Sequence, residues 1–195
     1  MTTTRLEAFS DAVLAIVITI MVLELPVPHG ANLAGLEPAL PALLTYVLSF
    51  VILGIYWNNH HHMMHVVERV NGAVLWANLH LLFWLSLVPF VTGWMGESRL
   101  APLPTAAYGL VLIMAAVAYA VLQTAVIRFH GPESRLARAV GRGGKEFVSL
   151  VAYAAAIGLA FVEPWIAAGL YVFVALIWLV PDPRIAAVVG DGGNS

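Results

Sequence analysis

In a chain of 195 residues, 61% hydrophobic side chains against 10% charged ones leave too little polar surface to cover a domain in water, so the composition calls for lipid as the solvent. The balance of 9 basic against 11 acidic residues excludes the basic footprint of a nucleic-acid-binding protein. With no cysteine there are neither disulfides nor thiolate metal sites.

The first element is Arg5 to Leu25, RLEAFSDAVLAIVITIMVLEL, uncharged from Ala12 to Leu23. At about 1.5 Å per residue it covers about 30 Å, the depth of a hydrocarbon core, before Pro26 and Pro28 stop it. A charged, partly acidic opening ahead of a full-length span lacks the pattern of a cleavable signal. Ile16, Thr19, Ile20 and Leu23 fall at i, i+3, i+4 and i+7, one continuous stripe. Asp11 lies roughly 140° away around the helix and is expected to face a neighbouring helix. A helix-packing seam accounts for such a stripe as readily as a functional face does.

A Pro/Gly-rich loop follows from Pro26 to Pro41. The second span is expected from about Ala42 to His65, ending in YWNNHHHMMH, and the third from about Ala73 to Met95, with Asn78, His80 and Pro89 inside it. The fourth runs from about Thr105 to Ile127, ahead of the basic stretch Arg128 to Lys145. Two short spans, about Phe147 to Val162 and Trp165 to Val180, meet at Glu163-Pro164. Asn78 and His80 are expected to bond neighbouring helices. Trp57, Trp76, Trp94 and Trp165 sit near span ends as interfacial anchors do, Trp57 being equally a packing partner.

Six spans place both termini on one side, with eight of the nine basic residues; only Arg99 lies opposite. That bias makes both termini cytoplasmic. The expected fold is therefore an all-α membrane protein of six transmembrane helices per subunit, a single domain over residues 1–185 with a flexible tail from 186 to 195. No internal repeat supplies an axis, so a pore through this chain needs identical copies around one.

A carboxylate at membrane depth costs several kcal/mol unless partnered. Arg5, Ser10 and Asp11 open the first span at the same membrane face where Trp57, Asn58, Asn59, His60, His61, His62 and His65 close the second. Indole, amide and imidazole groups there are the available partners for Asp11. A metal site is the sharper alternative, since His61 and His65 stand at i, i+4 and His62 and His65 at i, i+3; it lacks a third ligand, a cysteine or an HExxH glutamate. A proton relay through the histidines and simple snorkelling at the interface are two more.

The residues Arg5, Phe9, Ser10 and Asp11, spaced as RxxxFSD and followed by AIVITIMVLEL, resemble the first-helix signature of the TMEM175 family of potassium channels. The likeness is close over Arg5 to Pro26 and weaker over the later helices. It implies a homotetramer of six-helix subunits in the plasma membrane, with the first helix lining a central pore. It further implies a hydrophobic gate at Ile16, a selectivity-determining Thr19, and an FSD motif held by a network in which Asp11, Trp57 and one histidine from His60 to His62 correspond. Ile20 and Leu23 complete the lining. No TVGYG sequence is present, so a carbonyl-ring filter is not expected. The partners implied are the bilayer, other copies of the chain and permeant monovalent cations, with no cofactor and no enzymatic activity. For Thr19 the plainer role is a hydroxyl bonded back to its own helix. Glu24 is either a cation-attracting ring or an interfacial carboxylate. The rival function is a proton-coupled secondary transporter using Asp11 and the histidines; such carriers usually show repeats and a charge at mid-span.

Overall fold

A computed structural model describes residues 3–29, 32–67, 69–131, 133–134, 136–137 and 144–179. Among the described residues the elements are helices: α1 (Thr3–Leu23), the single turn α2 (Leu33–Leu36), α3 (Leu40–His65), α4 (Gly72–Ser86), α5 (Val88–Glu97), α6 (Pro102–His130), α7 (Gly144–Leu159) and α8 (Pro164–Leu179). Among the described residues, four helical stretches are long and apolar enough to cross a membrane: Thr3–Leu23, Leu33–His65, Gly72–Glu97 and Pro102–His130. The two sixteen-residue helices α7 and α8 complete the bundle. The tail from 186 to 195 and, within the basic stretch, residues 132, 135 and 138–143 lie outside the described residues.

Three features depart from the sequence expectation, each for a local reason. The loop after α1 is partly helical: Asn32 caps α2 by accepting from the Gly35 N–H at 3.1 Å, and a 3-10 turn at Glu37–Ala39 leads straight into α3. The third span is two helices, broken at Leu87. Pro89 has no N–H to offer the Leu85 carbonyl and its ring crowds that carbonyl, so α4 ends there and α5 begins with the proline inside its first turn. The fourth span is longer than expected, because Pro102 opens α6 in the first turn, where its missing N–H costs nothing.

α1 packs on α3, α4 and α5; α3 on α5 and α8; α6 on α4, α5, α7 and α8. In lipid, burying a leucine gains little, because the surrounding tails are as apolar as the helix interface; close packing and interhelical hydrogen bonds hold the helices. Both devices are visible. At the bundle centre the Ser49 hydroxyl lies 2.7 Å from that of Thr92 and 2.9 Å from that of Tyr108, joining α3, α5 and α6. Trp178 of α8 donates to the Ser149 hydroxyl of α7 at 2.9 Å.

Close packing depends on two glycines. A Cβ on Gly96 would stand 2.7 Å from the Ala42 Cα, so α5 meets the α3 backbone only because this side chain is missing. A Cβ on Gly109 would collide with the Tyr171 hydroxyl, which donates to the Thr105 carbonyl at 2.9 Å, and would stand 2.9 Å from Ile157. The Tyr171 ring is fully buried against Tyr108 and Tyr153, with centroids 5.2 and 6.2 Å away, and has nowhere to retreat. Gly109→Ala is therefore expected to cost about 2 kcal/mol through overpacking. Reversible unfolding in mixed micelles measures this; a loss below about 0.5 kcal/mol means that the α6–α8 contact yields freely.

Candidate functional site

The first half of α1 divides its polar groups between two neighbours. Leu6, Ser10, Leu14, Val17 and Met21 form the buried face. Ser10 is fully buried and donates to the Leu6 carbonyl one turn back at 2.8 Å. Its oxygen accepts from the Asn78 amide of α4 at 2.9 Å, and the Asn78 carbonyl oxygen lies 2.8 Å from His60 Nε2 of α3. Since the Ser10 proton is committed to Leu6, the amide nitrogen must donate to Ser10, and Nε2–H of His60 must donate to the amide oxygen. One buried relay, Leu6–Ser10–Asn78–His60, thus ties α1, α4 and α3 together. Among the described residues, His60 Nδ1 has no partner.

The second set is more open. Trp57 Nε1 donates to Asp11 Oδ1 at 3.0 Å, and Glu7 Oε1 lies 3.0 Å from His61 Nδ1. Asp11 thus takes its hydrogen bond from the indole. No histidine bonds it: His60 is committed to Asn78 and His61 to Glu7, while His62 lies beside His61 with ring centroids 5.8 Å apart. His61 also stacks on Trp57 at 5.9 Å and on His65 at 6.2 Å, so the ring row Trp57–His61–His65 follows the i, i+4 spacing of α3. Arg5 and Asn58 are exposed, without a hydrogen bond to the described residues, and Phe9 is half-exposed.

Glu7 is the partner that sequence reading missed. Glu7 and Asp11 stand at i, i+4 on α1, and Trp57 and His61 at i, i+4 on α3. Two helices running in opposite directions bring such pairs into register, and that was the available signal. Asn78 does bond neighbouring helices, as expected. His80 does not: its Nε2 accepts from Trp84 of its own helix at 3.0 Å, on an exposed face.

Further along α1, Ile16, Thr19, Ile20 and Leu23 lie roughly 130° around the helix from the buried face. The protomer leaves them uncovered, Ile16 at 58%, Ile20 at 41% and Leu23 at 82% exposure. The Thr19 hydroxyl bonds back to its own helix, 2.9 Å from the Ala15 carbonyl and 3.0 Å from that of Ile16, which leaves its oxygen lone pairs directed outward. Glu24 stands off this stripe: its Oε2 would lie 3.3 Å from a Cβ on Gly93 of α5.

The family model for the endosomal/lysosomal potassium channel TMEM175 matches residues 5–89, which hold α1, the α3 histidines and Asn78. A potassium channel of Chryseobacterium sp. (strain P1-3) is 56% identical over 185 residues, covering 95% of this chain and 96% of that relative. The chain belongs to the TMEM175 family. TMEM175 itself reaches well beyond such short bacterial chains: the endosomal/lysosomal proton channel TMEM175 of Danio rerio is 30% identical over 134 residues, 65% of this chain but 24% of that protein. Among solved structures, the crystal structure of a lysosomal potassium-selective channel TMEM175 homolog from Chamaesiphon minutus superposes with a TM-score of 0.76 at 28% identity, over 91% of this chain and 96% of that one.

Proposed function

We propose that this TMEM175-family chain is one subunit of a homotetrameric, potassium-permeable leak channel of the plasma membrane. Six crossings with both termini cytoplasmic, four copies of α1 around a central axis, a hydrophobic constriction at Ile16 with Ile20 and Leu23 beyond it, and hydroxyl ligands from Thr19 make up the reading. One observation carries it: α1 is locked to its own protomer along one face and leaves Ile16, Thr19, Ile20 and Leu23 uncovered on another, in a chain that matches a named potassium channel along 95% of its length.

The chemistry follows from these side chains. A potassium ion leaving bulk water needs oxygen ligands or must keep its shell. Thr19 donates its proton along the helix, so it meets the axis as an acceptor, and four such oxygens replace part of a hydration shell. Apolar rings of Ile16 exclude water and gate by dewetting. The Ser10–Asn78–His60 relay and the Asp11–Trp57 bond hold the opposite side of α1, fixing the angle at which the stripe meets the axis. The pathway needs no cofactor and makes no covalent bond.

Purified protein in liposomes under opposed potassium and sodium gradients is expected to show a reversal potential displaced towards potassium, unchanged when a pH gradient is imposed. Thr19→Val, isosteric but without the hydroxyl, is expected to move that potential towards zero with current retained. A reversal potential that Thr19→Val leaves in place removes Thr19 from ion coordination. Flux that follows the pH gradient instead supports the proton-coupled carrier built on Asp11 and the histidines.

A further inference from the structure

A second site lies behind α3, away from α1. Between the inner turns of α3, α6, α7 and α8 is a cavity of about 70 Å³. A water needs roughly 10–15 Å³ on this scale, so the space takes about five waters or one group of a phenyl ring's bulk. Its depths are apolar, with Ile52 and Val174, and its walls aromatic, with Tyr56, Tyr119, Tyr153 and Trp178. Asn59, Gln123 and Glu146 supply its polar edge, and neither Lys nor Arg is among its described lining residues.

The hydrogen bonds of the wall decide what the cavity accepts. The Trp178 N–H is spent on Ser149 at 2.9 Å, the Ser149 proton on the Lys145 carbonyl at 2.8 Å, and the Tyr119 proton on the Asn59 carbonyl at 3.2 Å. Tyr56 and Tyr119 stand edge to face with centroids 6.0 Å apart at 71°, which turns the face of one ring towards the edge of the other. Three donors are therefore turned into the protein, while the Tyr56 and Tyr153 hydroxyls, the Asn59 and Gln123 amides, the ring faces and one carboxylate remain. The carboxylate is the one charged group among the described lining residues and disfavours an anion; the wall suits a cation carried on an apolar body, held by Glu146 and by ring quadrupoles.

We propose that this cavity binds a small amphipathic organic cation, a protonated amine on a single ring or short chain, with the ammonium at Glu146 and the apolar body between Tyr56, Tyr119 and Trp178. The site is independent of the ion pathway in composition. It touches α3 through Ile52, Ile55, Tyr56 and Asn59, whereas Trp57 and His61 engage α1 from the far side of the same helix. An occupant thus sits between the outer helices and the helix that positions α1.

The experiment uses the full chain in phosphatidylcholine nanodiscs and three isosteric probes: 3-phenylpropylammonium, 3-phenylpropanol and 3-phenylpropionate. Saturation-transfer NMR and tryptophan fluorescence report binding without any reference to conduction. The cation is expected to bind saturably and at least tenfold more tightly than the carboxylate. Glu146→Gln is expected to bring the cation to within about threefold of the alcohol, and Ala120→Phe, which fills the cavity from an exposed position, to abolish saturable binding of all three. Equal binding of the three probes overturns the proposal in favour of a site for a neutral chain end, such as a lipid tail. Binding that persists in Ala120→Phe overturns it by placing the probes elsewhere. Should Ala120→Phe fail to fold, Glu146→Gln alone decides: an unchanged preference for the cation refutes the role of the carboxylate.

Discussion

Asn78→Ala is expected to destabilise the protein by about 3 kcal/mol, the largest loss from any single polar truncation in the bundle. Asn78 is completely buried and its side chain does two things at once, donating to Ser10 at 2.9 Å and accepting from His60 at 2.8 Å. Truncation leaves the His60 Nε2–H unpaired beside an Nδ1 that already has no partner among the described residues, and strips the Ser10 oxygen of its donor. An orphaned buried polar group costs about 1–3 kcal/mol. Two such groups and a small cavity sum to the stated figure. Ser10→Ala removes only the end of the relay, frees one amide proton of Asn78, and is expected to cost about 1 kcal/mol.

The double variant separates the cost of orphaned groups from the value of the bond. Hydrogen bonds between transmembrane helices average about 0.6 kcal/mol in such cycles, with a maximum near 1.7. The coupling of Ser10→Ala with Asn78→Ala is expected within that range, well below the loss from Asn78→Ala alone. Unfolding of the reconstituted protein in a denaturing detergent titration measures all three. A loss below about 1 kcal/mol for Asn78→Ala would show that the relay merely accompanies packing that holds α1 without it.

Helix existence was legible in this sequence because a bilayer leaves the backbone few options: an apolar run of the right length becomes a helix, and Pro or Gly marks its end. Boundaries failed where a proline acts inside a span. Pro89 reads equally as a kink within one helix or as the start of a second, and only the crowding at Leu85 decides. The site was half legible. That Asp11 needs a partner follows from the cost of a buried charge, and Trp57 lay among the candidates. Which residue pairs with which depends on the rotation of α3 against α1, which is set by the close approach of other helices at positions such as Gly96. Spacing on one helix carries no information about that angle. Only the matching i, i+4 pairs on the two helices point to Glu7, and the choice among three consecutive histidines stays open in the sequence: a rotation of about 100° exchanges His60 for His61.

The second large effect is expected at Ile16. Ile16→Asn should raise potassium current through reconstituted channels at least tenfold, with assembly intact. A tenfold gain in rate requires about 1.4 kcal/mol off the barrier. That is below the roughly 1.5–3 kcal/mol of transfer free energy carried by a single isoleucine side chain, and four of them would be replaced at one level. Asparagine is smaller, binds water and offers an amide oxygen to a passing cation, so wetting and ligation change in the same direction. A pore face and a lipid face both present apolar side chains, and Ile16 is 58% exposed. The control is therefore Phe173→Asn on α8, also half-exposed at 48%. On a lipid-facing surface an amide costs stability and leaves current alone. If Ile16→Asn behaves as Phe173→Asn does, α1 faces lipid and the central-axis arrangement fails; if current rises only for Ile16→Asn, the uncovered stripe of α1 is the conduction path and its isoleucine is the barrier.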